Sequence, residues 1–303
     1  MEDFQYFLEL AFSGLTRGSI YALIALGYTM VYGILGLINF AHGEVYMISA
    51  FVGLTMAGLF SILGYGPAAL LIIALLFGMA YGAAYGYTIE RIAYQPLRGS
   101  NRLAPLISAI GMSIFLREYV ILAQTSDFVS FPSLLFELAD FDFLSDYIGP
   151  AELIITLVSM SVMAGLFVFI QYTKTGKAMR AIEQDREMAM LLGVKVDRVI
   201  SMTFILGSAL AAVGAILISS HVGQINYNIG FIVGIKAFTA AVLGGIGSIP
   251  GAALGGLVLG LTEAFAAGFV SSDYEDVFAF SLLVLILIFK PNGILGKVEQ
   301  EKV

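Results

Sequence analysis

The chain alternates long apolar runs with short polar stretches. A helix needs about 20 apolar residues to cross the hydrocarbon core of a bilayer. The runs that approach this length are Phe7–Gly33, Val45–Leu63, Pro67–Ile89, Leu103–Leu122, Leu153–Ile170, Val199–Ser219 and Gly251–Phe269. Two shorter runs, Phe231–Leu243 and Val277–Phe289, fit tilted spans, half-helices or re-entrant segments. The pattern predicts an all-α, polytopic integral membrane protein with about 8–9 transmembrane helices, some of them glycine-rich and discontinuous.

Composition supports a single membrane domain covering residues 1–303. Hydrophobic residues make up 59% of the chain and charged residues only 12%, whereas a soluble domain averages about 25% charged residues. The loops are too short to hold a separate soluble domain. The chain contains no cysteine, which excludes disulfides and thiol chemistry.

The charges of the loops predict the orientation of the chain. Tyr172–Arg198 holds six of the fifteen lysines and arginines, whereas Asp127–Glu152 is acidic and has none. Basic loops stay in the cytoplasm, so we expect the first loop inside and the second outside. Lys290 and the lysines after it place the C-terminus inside. Nine spans then leave the N-terminus outside, and eight would put it inside.

Glycine-rich breaks interrupt two of the apolar regions. "LGLINFAHG" (Leu35–Gly43) and "LGGIGSIPG" (Leu243–Gly251) share four of nine residues, and paired breaks in the halves of a transporter indicate discontinuous helices from an inverted repeat. Nine alternating spans conflict with this hypothesis, because they put both breaks on the cytoplasmic face. The candidates for helix breaks or the translocation path are Asn39, His42, Gly43, Glu44, Gly244, Gly245, Gly247, Ser248, Pro250 and Glu263.

Other glycines, Gly78, Gly82, Gly86, Gly251 and Gly255, have the spacing of close helix packing. We interpret Gly58 in the same way, as a packing site near the end of a span.

Ionisable residues inside membrane segments are few, and each is a candidate for function. Glu263 lies deep in "GLVLGLTEAF" and needs a hydrogen-bond donor or a watery cavity; a structural partner is favoured over contact with substrate. Lys236 and the pair Glu90–Arg91 are interpreted as residues that snorkel from span ends. His42 has no second ligand at helical spacing, so no metal site is expected; no other cofactor is expected in this chain.

The basic stretch "TGKAMRAIEQDREMAMLLGVKVDRVI" (Thr175–Ile200) is patterned as a helix. Its small and apolar residues Ala178, Ala181, Ile182, Ala189 and Leu192 fall mostly three, four or seven positions apart, which predicts one apolar side and charge elsewhere. That side either packs on the protein's own helix ends or docks on a separate cytoplasmic protein. The chain lacks the G-x-x-x-x-G-K-[ST] loop that binds phosphate, so an ATP-driven motor would be another polypeptide.

Several segments carry a resemblance to a known family. "EMAMLLG" (Glu187–Gly193) is similar to the E-A-A-x-x-x-G loop of bacterial ABC importer permeases. "GSIYALIALGYTMVYGILGLINFAHGEVYMI" (Gly18–Ile48), "DRVISMTFILGSALAAVGAIL" (Asp197–Leu217) and "GIKAFTAAVLGGIGSIPGAALGGLVLG" (Gly234–Gly260) resemble the branched-chain amino-acid ABC importer permeases, specifically the H-type subunit.

The resemblance implies an ABC importer permease fold in the bacterial inner membrane. It implies a second, related permease subunit, two cytoplasmic subunits that bind ATP, a periplasmic amino-acid-binding protein, and no nucleic acid as partner. Residues 172–198 would be the loop that couples to the ATPase. The candidate coupling residues are Gly176, Arg180, Glu187, Ala189 and Gly193.

Four alternatives stay open at this point. One is a purely structural membrane subunit, in which changes in the basic stretch would leave ATP-driven uptake intact. An ion-coupled secondary amino-acid transporter would use intramembrane acids, which are few here. A channel would need a recognisable filter. An ABC permease could also carry another small solute, such as an amide or urea, because the binding protein dominates selectivity in the family.

Overall fold

The computed structural model describes residues 2–101, 103–138 and 149–296. Apart from short turns and one pair of two-residue strands, that part of the chain is helical. Its helices are α1 (Glu2–Leu35), α2 (His42–Ile62), α3 (Pro67–Ile89), α4 (Leu103–Ala123), α5 (Leu134–Leu138), α6 (Pro150–Tyr172), α7 (Lys174–Gln184), α8 (Arg186–Leu191), α9 (Val196–Val222), α10 (Ile229–Gly244), α11 (Ile249–Phe269) and α12 (Glu275–Phe289). Strands β1 (Val129–Ser130) and β2 (Gln224–Ile225) pair antiparallel.

Seven helices are long and apolar enough to cross a membrane: α1, α2, α3, α4, α6, α9 and α11. Each matches one of the predicted spans, with ends shifted by a few residues. The two shorter predicted segments are also helices, α10 with 16 residues and α12 with 15 residues. The prediction of an all-α polytopic membrane protein is therefore confirmed.

Glycines bring the central helices into backbone contact. A Cβ on Gly18 would lie 2.8 Å from the Cα of Leu257 on α11, and a Cβ on Gly82 would lie 3.1 Å from the carbonyl oxygen of Ser208 on α9. Small residues at such crossings let membrane helices pack tightly. The predicted packing role is confirmed for Gly78, Gly82, Gly86, Gly251 and Gly255, which all face atoms of other segments. It is wrong for Gly58, because no atom of the described residues lies within 4 Å of a Cβ built there.

The basic and acidic loops lie at opposite ends of the helices. At one end, Gly36, Arg98, Arg180 and Gly247 line a cavity of about 820 Å³. At the other end, β1 of the acidic loop pairs with β2, which follows α9; residues 139–148 of that loop lie outside the described residues. Since α1 ends on the basic face, its N-terminus lies at the other face, as nine crossings require.

Two helices begin inside the bilayer instead of at its surface. The His42 ring, in the first turn of α2, lies against Gly27 of α1, and Gly27 is eight residues, or about 12 Å, before the end of α1. The start of α10 lies at the same depth, because Gly230 packs against Gly43. Segments 36–41 and 223–228 therefore re-enter the membrane from opposite faces.

This arrangement corrects the proposed pairing of the two glycine breaks. The segment that meets Leu35–Gly43 from the other membrane face is 223–230, and not Leu243–Gly251. Leu243–Gly251 is a tight turn between α10 and α11 on the basic face, where its Gly247 lines the same cavity as Gly36. Both sequence breaks thus lie on one face, as the charge pattern requires, so they are not the two related halves of an inverted repeat.

The orientation gives a first testable prediction. In this cysteine-free chain, Ser126→Cys should react with an impermeant thiol reagent applied to spheroplasts, and Gln184→Cys should not, because the two exposed residues lie beyond opposite membrane faces. A permeant thiol reagent should label both variants and serves as the control. Labelling of Gln184→Cys by the impermeant reagent would reverse the topology.

Candidate functional site

The junction of α2 and α10 contains the first group of predicted residues. Gly43 and Gly230 are in contact, and a Cβ on Gly43 would overlap the carbonyl oxygen of Gly230. The side chains of Asn39, His42 and Glu44 are each about 1% exposed. His42 packs edge-on against Tyr28, with ring centroids 4.9 Å apart. The junction is therefore a buried polar region in the middle of an apolar protein.

Glu44 borders a cavity of about 270 Å³ beside this junction. Its Oε1 accepts a hydrogen bond from Ser113 Oγ at 3.1 Å, while its Oε2 has no hydrogen-bond partner among the described residues. Arg117 lines the same cavity, but the ion pair that the structure shows for it is with Glu118, at 4.0 Å. The remaining walls are mainly apolar, with Phe40, Phe231 and Phe238 among them.

Glu263 belongs to a separate cluster of charges built around Lys236. Lys236 Nζ lies 3.2 Å from Glu263 Oε1, 3.2 Å from Glu275 and 2.8 Å from Asp276. Tyr21 donates a hydrogen bond to Glu263 Oε2 at 2.7 Å. The interpretation of Lys236 as a snorkelling residue is wrong, since it is only 6% exposed and is held inward by three acids.

The interpretation of Glu90 as a snorkelling residue is also wrong. Its side chain is fully buried, accepts a hydrogen bond from Ser201 Oγ at 2.7 Å and forms an ion pair with Arg98. Arg91, its neighbour in sequence, lies 3.9 Å away and is 44% exposed. Glu90 opens a π-helical turn (Glu90–Tyr94) that follows α3, and this turn lets the carboxylate face α9 instead of the lipid.

The turn between α10 and α11 has a backbone geometry that favours glycine. Gly245 and Gly247 have φ of +106° and +92°, a region that favours glycine. Ser248 caps α11 by accepting a hydrogen bond from the Gly251 N–H at 3.2 Å, and Pro250 lies in the first turn of that helix. The backbones of Gly244 and Gly251 are also in contact across the turn.

We expect Gly245→Val to abolish assembly or transport. A side chain there would require a disfavoured φ and would overlap the backbone of Gly296 and Asn292. Gly58→Val is the matched control, because a Cβ at Gly58 meets nothing within 4 Å. Immunoblots of membranes and uptake assays on both variants are the measurements, and normal levels for Gly245→Val would show that the turn tolerates substitution.

The predicted coupling segment forms two helices instead of one. α7 ends at Gln184 and α8 begins at Arg186, because Asp185 is extended and its side chain accepts a hydrogen bond from the Met188 N–H. α7 packs on the protein itself through Met179 and Ile182, and a Cβ on Gly176 would overlap the backbone of Ile170. Arg180 donates to Gln171 Oε1 at 2.8 Å and to the Gln171 carbonyl oxygen at 3.1 Å.

α8 and Leu192, the residue that follows it, turn most of their apolar side chains toward solvent. Met188, Leu191 and Leu192 are 54%, 81% and 77% exposed, whereas Ala189 is 2% exposed. Leu192 therefore does not share a buried side with Ala189, contrary to the pattern predicted for a continuous helix. The small size of Ala189 is explained by contact with the protein itself.

Gly193 ends α8 in a backbone conformation that favours glycine. Its φ is +85°, its N–H donates to the Met190 carbonyl oxygen, and the Val194 N–H donates to the Ala189 carbonyl oxygen, each at 3.0 Å. This pair of bonds is a Schellman cap, in which glycine is strongly favoured. Glu187 is exposed in the first turn of the same helix.

Comparison with known proteins identifies the family. Residues 10–287 match the family model described as "Branched-chain amino acid transport system / permease component". The chain belongs to this permease family. It is 50% identical to LivH of Escherichia coli K12 over 100% of this chain and 99% of that protein, and 50% identical to BraD of Pseudomonas aeruginosa over 100% of both. Both relatives are named as permease proteins of high-affinity branched-chain amino acid transport systems.

A more distant relative is LivM of Escherichia coli K12, another permease protein of such a system, which is 27% identical over 92% of this chain and 68% of that protein. The family and the membrane-crossing helices together make the chain a multi-pass inner-membrane permease component.

Several residues of this permease were missed in the sequence. Gly230 and Gly234 contact Gly43, and their small-x-x-x-small spacing is a signal that a search for helix contacts would detect. No local sequence pattern marks Tyr21 as a partner of Glu263, because the two residues are adjacent only in the folded chain. The same is true of Ser113, which lies 69 positions from Glu44 in the chain.

Proposed function

We propose that the chain is the membrane subunit of an ATP-driven, binding-protein-dependent importer of leucine, isoleucine and valine. The full-length similarity to LivH and BraD carries this proposal. The resemblance to LivM supports a second, related permease subunit as partner. The chain itself is a non-catalytic subunit, with ATP bound by cytoplasmic partners and the amino acid delivered by a periplasmic binding protein.

The exposed apolar face of α8 supports coupling to an ATPase. Met188, Leu191 and Leu192 lie on the basic, cytoplasmic side and are more than half exposed. Contiguous apolar surface outside the membrane marks an interaction site. We propose that residues 172–198 contact the ATPase through this face, while Gly176, Met179 and Ile182 attach the segment to α6 and α9.

This arrangement gives a route for coupling. Arg180 and Gly247 line the same cytoplasmic cavity, so a shift of α7 reaches the turn between α10 and α11. ATP binding would favour one arrangement of the permease by binding it more tightly, which is a population shift and not chemistry in this chain.

Reconstitution tests the proposal. The chain would be co-expressed with a second permease and ATPase subunits of the same transport system, purified, and placed in proteoliposomes with the binding protein. We expect uptake of labelled leucine that requires both ATP and the binding protein. Uptake without nucleotide would indicate a secondary transporter, and ATP-driven uptake of a different solute alone would show that the substrate is wrong.

A further inference from the structure

The carboxylate of Glu44 stands out among the buried acids of the described chain because it lacks a basic partner. Glu90 is paired with Arg98, and Glu263 is paired with Lys236. No lysine or arginine nitrogen of the described residues lies within 4.0 Å of the Glu44 carboxylate, although its side chain is only about 1% exposed. A buried charge without a partner is costly inside a membrane.

Two helix N-termini meet beside Glu44, but they do not complete its hydrogen bonding. Glu44 lies in the first turn of α2 and beside Gly230, in the first turn of α10. The N-termini of helices stabilise negative charge, and here two of them meet. Ser113 occupies Oε1, and Oε2 keeps an unfilled acceptor position.

The cavity next to Glu44 has the size and lining for a small amphipathic ligand. Its volume of about 270 Å³ is near the lower limit of small-molecule sites. Phe40, Ile110, Ile114 and Phe231 supply apolar wall, and Arg117 supplies a positive charge. Ile114 and Phe231 are about half exposed in the single chain, 49% and 48%, which suits a path completed by a second permease subunit.

We propose that this cavity is a transit site for the transported amino acid, with Glu44 as the acceptor for its α-ammonium group. The aliphatic side chain lies against the apolar walls, and Arg117 faces the α-carboxylate. The ammonium group donates to Glu44 Oε2, which has no hydrogen-bond partner among the described residues, so the hydrogen bonding of the carboxylate is completed while the site is occupied. This proposal rests on the proposed function, since it assigns the substrate's ammonium to a residue.

Protection of an introduced cysteine tests occupancy directly. Ile114→Cys in the cysteine-free chain would be labelled with a small maleimide in the reconstituted transporter, without binding protein. Leucine and leucinamide, which both carry the ammonium group, should slow labelling at least threefold. The probe 4-methylpentanoate, which lacks the ammonium group, should not. Equal protection by all three compounds, or by none, would overturn the assignment.

A second experiment separates a transport role from a folding role. Glu44→Gln should lower leucine uptake at least tenfold, while ATP hydrolysis stimulated by the binding protein stays within about twofold of the parent level. Glu9→Gln, the same change at an exposed position of α1, should leave uptake unchanged. Loss of the folded protein in Glu44→Gln, together with a failure of leucine to protect Ile114→Cys in the otherwise unchanged chain, would make Glu44 structural.

The outcomes also distinguish this inference from the proposed function. If the unmodified transporter takes up no leucine, the proposed function fails. If it takes up leucine and Glu44→Gln does so equally well, the proposed function stands and the ammonium site is rejected.

Discussion

Replacing Lys236 with methionine is expected to destabilise the permease by about 3–5 kcal/mol, the usual cost of removing one partner of a buried ion pair. Lys236 is the only cation of the described chain within 4.0 Å of Glu263. It also faces Glu275 and Asp276, so its loss leaves three acids close together in the membrane. Arg17 would pair with only one of them, Glu275, at 3.0 Å.

Removing the acid instead should be much milder. In Glu263→Gln, the amide oxygen still accepts the hydrogen bond from Tyr21, and Lys236 keeps Glu275 and Asp276 as partners. We expect a loss of less than about 1.5 kcal/mol, near the net value of one hydrogen bond. The double variant Lys236→Met/Glu263→Gln should be more stable than Lys236→Met alone, because the buried charge is gone.

Membrane abundance and the apparent melting temperature in detergent measure this series. Lys195→Met, which removes a charge from an exposed position, is the control for abundance. The sign of the interaction term in the double-mutant cycle decides the question. Equal effects of Lys236→Met and Glu263→Gln, with simple additivity in the double variant, would show that the cluster contributes no coupled stabilisation.

The spans could be predicted from the sequence because the signal is local. Each run, such as Pro67–Ile89, carries its own apolar length, and the surrounding bilayer requires helix for it. The turn at Gly245 could also be predicted from the sequence. Glycines suited to a helix end are followed there by a serine and a proline suited to a helix start. The charge difference between two loops was enough to orient the chain.

The interior contacts could not be predicted, because they join residues that are distant in sequence. Lys236 and Glu263 come from α10 and α11, and Glu275 comes from α12. Snorkelling is the reasonable expectation for a single lysine in an apolar run, and only the packing of three helices replaces it with an ion cluster. The re-entrant segment 223–228 was overlooked for a similar reason: it follows a complete span and looks like an ordinary loop.

The sequence does mark the break between α7 and α8, but the helical spacing of the apolar residues on both sides of it led to the prediction of one helix. Asp185 precedes Arg186 at the start of α8, and aspartate is a preferred N-cap residue. The spacing of alanines and leucines continued across it and favoured one helix. Since the break turns Leu191 and Leu192 outward, the structure leads to a different choice of residues for testing the coupling.

Gly193→Val and Leu191→Glu are expected to abolish ATP-driven uptake while leaving membrane abundance near normal. Valine at the φ of +85° found at Gly193 costs about 1–2 kcal/mol and should unwind the Schellman cap, which moves Leu191 and Leu192. A Cβ at Gly193 meets no atom of the described part of the chain within 4 Å, so the change strains the cap without a clash. Leu191→Glu puts a charge on a side chain that is 81% exposed and should prevent an apolar contact with the ATPase.

Two further variants separate docking from folding. Glu187→Gln should have a small effect, because an exposed ion pair with a partner contributes about 0–1 kcal/mol. Ala189→Trp should reduce abundance, since Ala189 is buried against the protein itself. Co-purification of the ATPase, abundance and binding-protein-stimulated hydrolysis would be measured on the same membranes. If Gly193→Val and Leu191→Glu keep normal co-purification, hydrolysis and uptake, the exposed face of α8 has no part in coupling, and the ATPase must contact the permease elsewhere.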